Sequence, residues 1–177
     1  CTSPQRTFAP LLAGCARVLR QHAPSARIVF GGLATAAEDG AKYAWLVQQA
    51  LGEKLPVDAI GVHPYGIGAP GDTTIYGTLG SMQAVIDTYE RRLPDYPLWI
   101  TEFGALTANQ PQYWEQAAAY LRRTYAYFRQ RAARVPVAIW YAWSDAMHAE
   151  AGTNGLVTAD GQPKPPLYAA FFEEACT

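Results

Sequence analysis

The sequence lacks most of the signals that would assign a class at once. No apolar run reaches the roughly 18 residues of a membrane-spanning helix, and no secretory signal segment is visible. Charge is scarce: Asp, Glu, Lys and Arg make up 16% of the 177 residues, and the formal net charge is -1. With no run of Lys or Arg, neither a nucleic-acid surface nor a patch for anionic membranes is read. The glycines after Tyr65 open no helix, so they form neither a Rossmann nor a P-loop phosphate cradle. A Gly-x-Ser-x-Gly nucleophile elbow is missing. His148-Ala149-Glu150 has no matching set of Cys or His ligands, so no metal and no cofactor are assigned. Cysteine is limited to three residues. Cys15 falls on an apolar helical stripe and reads as a buried free thiol, while Cys1 and Cys176 stand at the two ends with their pairing left open.

What is present describes one α/β domain over residues 1–177. Half of the residues are hydrophobic, enough for a real core. Phe8, Leu11, Leu12, Cys15, Val18, Leu19 and His22 recur at helical spacing, predicting a helix over 5–22 that Pro24 stops. A short strand at 27–30 closes at Gly31-Gly32, and a helix over 38–52 ends at Gly52. A strand over 58–63 runs into Pro64 and a long loop at 64–80, and a helix follows over 79–93. Leu98-Trp99-Ile100-Thr101 reads as a strand buried on both faces. A helix over 111–133, a strand over 135–143, a loop at 144–162 and a helix to about 175 complete the chain. Regular alternation of helix and strand predicts a parallel sheet with right-handed crossovers, four strands and about five helices.

Three strand ends carry chemistry-bearing side chains. The first gives His63-Pro64-Tyr65, the second Glu102 and the third Trp143-Ser144-Asp145. Strict alternation puts Gly61, His63 and an extended Tyr65 on one face, Leu98 and Ile100 on the face of Glu102, and Ile139 and Tyr141 on that of Trp143. The carboxyl ends of parallel strands are where α/β folds place reactive groups. Each residue alone also has a plain structural reading: a half-buried histidine, a rim tyrosine, a solvated loop glutamate, a packing tryptophan. Together they suit one task. A carboxylate can attack an anomeric carbon, a tyrosine hydroxyl can orient it, and an indole can carry the sugar ring. Eleven Tyr and five Trp are consistent with that, although most aromatics fill cores.

On these residues the chain resembles the C-terminal half of a clan A glycoside hydrolase, a (β/α)8 barrel. Arg27–Leu33, Ile60–Gly66, Leu98–Gly104 and Ala138–Asp145 resemble the fifth to eighth strands, and Gly155-Leu156-Val157 with Lys164-Pro165 resembles the run into the last helix. The resemblance implies that Glu102 is the nucleophile of a retaining mechanism, that Tyr65 hydrogen-bonds it, and that Trp143 is the sugar platform. His63 would line the pocket and Asp145 would make a polar sugar contact. It also implies a carbohydrate substrate, no cofactor, and export to the periplasm or the medium.

One part of the pattern is missing. A full barrel takes roughly 250 residues, and the Asn-Glu that supplies the acid/base on the fourth strand has no counterpart here. Asp72, Asp145 and Glu150 are the only carboxylates placed near the mouth. The expectation is therefore a half-barrel whose N-terminal half lies elsewhere. The alternatives are a half-barrel that pairs with itself or a partner, and a carbohydrate-binding module that cleaves nothing.

Overall fold

A computed structural model of the chain describes residues 3–33, 37–65, 81–105, 111–147 and 154–175. In order these form α1 (Pro4–His22), β1 (Val29–Leu33), α2 (Ala37–Leu51), β2 (Ala59–Val62), α3 (Met82–Arg92), β3 (Leu98–Phe103), α4 (Gln112–Gln130), β4 (Val137–Trp140) and α5 (Pro165–Ala175). The four strands form one sheet in the order β1-β2-β3-β4, every pair parallel. This is the predicted α/β architecture. Asp72, His148, Glu150, Cys1 and Cys176, with most of the loops around the first three, lie outside the described residues.

A parallel sheet whose strand order follows the chain puts every right-handed crossover on the same face. That face holds the core. Ile60 and Val62 of β2 and Leu98, Ile100 and Phe103 of β3 are buried in one cluster with Val47, Ile86, Tyr89, Leu121 and Phe128 from the helices. The ring of Phe103 stands edge-on to Tyr125, Phe128 and Trp140 at 5.3–5.4 Å between centroids. Truncating such a buried aromatic costs about 3–5 kcal/mol, so this cluster fixes the end of β3 firmly. The opposite face is more open, and Ile139 of β4 is 49% exposed there.

The helix signals act as their chemistry predicts. Pro4 opens α1, where its missing N–H costs nothing, and the N–H of Ala23 closes it on the Leu19 carbonyl. Ser81 caps α3, its Oγ accepting from the Ala84 N–H at 3.2 Å. Gly52 ends α2 with φ at +73°, which an L side chain rarely adopts. At the opposite end of the sheet from the candidate site, Asp58 accepts from the Ile28 N–H at 2.7 Å and from Arg20 at 2.8 Å. Burial would raise its pKa, but these donors and Arg27 outweigh that and hold the carboxyl below its usual 3.8.

Two expectations about local structure are corrected. Cys15 is exposed, not buried. The apolar residues of α1 extend over more than one side of the helix: Ala9 and Ala16 are buried with Phe8 and Leu12 packed beside the core, while Leu11, Cys15, Val18 and Leu19 face outward. The second correction is that Gly31-Gly32 does not close β1. The strand continues through both glycines to Leu33, with two of its residues set against Gly61 alone between Phe30 and Gly32. This bulge explains Gly61, because a Cβ there would meet the Gly31 carbonyl oxygen at 2.6 Å.

Candidate active site at the strand ends

The site begins where β2 and β3 end side by side. Ile60 and Val62 point into the core, so alternation sends Gly61 and His63 to the other face. Residue 102 would not reach His63 from a regular β3. Ile100 pairs with Ala138 and Phe103 with Trp140, so three steps along β3 match two along β4. That extra residue is a bulge. It returns Phe103 to the buried face of Leu98 and Ile100 and leaves both Thr101 and Glu102 toward His63. The expected sharing of one face by Glu102, Ile100 and Leu98 is therefore corrected, since strict alternation does not survive a bulge.

The structure thus brings His63 and Glu102 together. His63 Nδ1 lies 3.4 Å from Glu102 Oε2, and Nε2 lies 3.1 Å from Thr101 Oγ1. Both side chains are mostly buried yet reachable. Burial holds the imidazole below its usual pKa of 6.5, with the Glu102 carboxylate opposing that shift. His63 at neutral pH is therefore a neutral imidazole beside a carboxylate. Tyr65 follows on the same segment, its N–H donating to the His63 carbonyl at 3.1 Å and its side chain buried.

The end of β4 abuts this pair. The Tyr141 N–H donates to the Phe103 carbonyl at 2.7 Å, and a Cβ at Gly104 would collide with the Tyr141 carbonyl. Two residues on, Trp143 is 52% exposed, its ring 6.0 Å from that of Tyr168 on α5. A large indole open to solvent at the end of the strand next to β3 is a surface on which an apolar ring face can rest. The other tryptophan of this segment, Trp140, packs inside and donates from Nε1 to the Asn154 carbonyl at 2.9 Å.

Asp145 is placed differently from the expected sugar contact. Its Oδ1 accepts from Lys164 Nζ at 2.8 Å and from the Gly155 N–H at 2.9 Å, with Lys164 wholly buried. Its side chain has almost no open surface to offer a ligand. Segment 142–145 instead pairs with 154–157: Leu156 donates to Ala142, Val157 to Trp143 and Asp145 to Val157 through their backbones. The carboxylate and ammonium clamp this ladder from inside.

The sequence did not single out Gly32, Thr101 or Lys164 for the site. A Cβ at Gly32 would fall on the His63 ring, a constraint that only the pairing of β1 with β2 reveals. Among the described residues, no three His, Cys, Asp or Glu side chains cluster as metal ligands would, and no helix is long and apolar enough to cross a membrane.

Comparison with known proteins gives this geometry a family. No curated protein sequence matches the chain. Among solved structures, a GH128 subgroup VI exo-β-1,3-glucanase from Aureobasidium namibiae is similar over 94% of this chain and 63% of its own, with 15% identity and a TM-score of 0.67. The intracellular xylanase of Thermoanaerobacterium saccharolyticum is similar over 87% of this chain and 46% of its own, with 14% identity and a TM-score of 0.62. A GH39 β-xylosidase from Caulobacter crescentus is similar over 95% and 37%, with 22% identity and a TM-score of 0.57. At these identities the likeness is one of fold, and the chain spans less than two thirds of each of these proteins. Residues 17–169 match the family model described as the glycosyl hydrolase catalytic core, and the chain belongs to that family.

Proposed function

We propose that this chain carries the nucleophile-bearing half of a retaining glycoside hydrolase site of clan A type, acting on an oligosaccharide or polysaccharide. Glu102 is the nucleophile, Trp143 the platform for the sugar ring, Tyr65 the hydroxyl that orients the carboxylate, and His63 a wall of the same pocket. The observation that carries this reading is the His63–Glu102 contact at adjacent parallel strand ends, in a chain of the glycosyl hydrolase catalytic core family. Retention requires a second carboxyl about 5–5.5 Å from the first to protonate the leaving oxygen. Asp145 is not suited to that task, because Lys164 and the Gly155 N–H hold it inside.

The acid/base then comes from further β/α units that complete the barrel. Support lies at the two flanks of the layer. Beyond α1 the exposed apolar residues are Leu11, Val18 and Leu19, and at the other end Phe172 of α5 is 42% exposed. Each outer strand, β1 and β4, pairs with only one other among the described strands. Four more β/α units, in the same chain or a partner, would cover both flanks at once.

An activated aryl glycoside tests the reading, because a good leaving group needs little acid help. Intact mass spectrometry should show one glycosyl adduct across a panel of sugars, peptide mapping should place it on Glu102, and Glu102→Gln should abolish it. A folded sample that forms no adduct with any sugar of the panel, or an adduct on another residue, overturns the proposal.

A further inference from the structure

The His63 imidazole is held from two neighbouring strands. Gly32 of β1 forms its seat, since any Cβ there would overlap the ring. On β3, Thr101 meets Nε2 at 3.1 Å and Glu102 faces Nδ1 at 3.4 Å. Thr101 and Glu102 are adjacent in sequence and would face opposite ways on a regular strand. The bulge between Ile100 and Phe103 turns both toward one ring.

The protons of this arrangement follow from its donors and acceptors. An ionised carboxylate only accepts. A bare Nδ1 lone pair facing Glu102 would be repelled, so the neutral ring carries its single proton on Nδ1. Nε2 is then an acceptor, and the group opposite it must donate. A threonine hydroxyl can do so, and its β-branched side chain has few rotamers in which to wander.

We propose that Thr101 is a positioning residue for the His63–Glu102 pair: its hydroxyl donates to Nε2 and holds neutral His63 in the tautomer whose Nδ1–H faces the carboxylate. The hydroxyl thereby selects which edge of the ring Glu102 meets. The N–H so presented fixes the direction in which the carboxylate points. The importance of this for catalysis rests on the proposed role of Glu102; the tautomer itself does not.

Imidazole ¹⁵N chemical shifts read the tautomer directly and need no substrate. His63→Gln assigns the His63 signals among the three histidines. At pH values where the ring is neutral, wild type should show a pyrrole-type Nδ1 and a pyridine-type Nε2. Thr101→Val should lose that single signature and shift toward a mixture, and Thr101→Ser should restore it. If Glu102 is glycosylated as proposed, Thr101→Val should also slow labelling about tenfold, the scale of one neutral hydrogen bond. A wild-type ring protonated on Nε2, or shifts unchanged in Thr101→Val, overturns the inference. If the valine variant fails to fold, Thr101→Ala is read in its place: the carboxylate alone would leave the Nδ1–H signature unchanged there, and that result overturns the inference as well. An Nδ1–H ring in a protein that forms no adduct would leave this inference standing and remove the enzymatic reading.

Discussion

The imidazole of His63 lies over Gly32 so closely that the position a Cβ of residue 32 would take is already filled by the ring, at Nε2 and Cε1. Gly31, its neighbour in the same bulge, has nothing within 4 Å of the corresponding position. Two adjacent glycines therefore carry different constraints. Gly32→Ala should force His63 out of its rotamer and cost roughly 1–3 kcal/mol, the usual scale of overpacking. Gly31→Ala should cost less than about 1 kcal/mol, mainly through altered backbone freedom. Thermal or urea unfolding of the two variants side by side measures the difference, and the His63 imidazole resonances should move in Gly32→Ala alone.

This pair of glycines also marks the boundary of what could be read from the amino-acid order. Helices and strands were legible because their signals are local: the apolar spacing of α1 and α3, the stop at Gly52, the apolar runs before His63 and Glu102. The grouping of His63 with Glu102 was legible for the same reason, since strand ends in a parallel sheet share an edge. A bulge is a property of two strands in register, so neither strand announces it. Gly31-Gly32 thus reads as the close of a strand that in fact continues through it, and strict alternation puts Glu102 on the face of Ile100. Cys15 failed differently. Apolar residues extend around α1, and only the position of α2 and the sheet decides which of them are covered. Asp145 reads as a sugar contact at the mouth because its partner, Lys164, lies 19 residues away.

The depressed pKa of His63 predicts a direction for stability against pH. Burial lowers the folded value below the 6.5 of the unfolded chain, and Glu102 pulls it part of the way back. As pH falls, the unfolded chain takes up the proton first, so the fold loses stability in that window. The contribution of the neutral ring is whole above pH 6.5 and erodes below it, until the folded imidazole also protonates. Unfolding midpoints should therefore drop more steeply below pH 6.5 in wild type than in His63→Gln. Glu102→Gln removes the opposing charge, lowers the folded pKa further, and should steepen the dependence of this group. NMR titration of His63 in that variant checks the cause independently of the unfolding curve.

The buried pair of Lys164 and Asp145 makes the largest single-residue prediction. Lys164 Nζ is 2.8 Å from Asp145 Oδ1, and both groups are shut away from solvent. Lys164→Met leaves the carboxylate buried without its counter-charge, which costs about 3–5 kcal/mol in such settings. Adding Asp145→Leu removes the stranded charge and should recover most of that loss. Recovery should stop short of wild type, because Oδ1 also accepts the Gly155 N–H, and an orphaned buried N–H costs about 1–3 kcal/mol. Urea unfolding of the two single variants and the double variant gives the coupling directly. If the pair served only as a surface bridge, both single variants would lie within about 1 kcal/mol of wild type. The ladder it clamps carries Trp143, whose carbonyl accepts from the Val157 N–H at 3.0 Å. The Lys164→Met protein should therefore also show altered exposure of that indole, read by iodide quenching against a Trp143→Phe background.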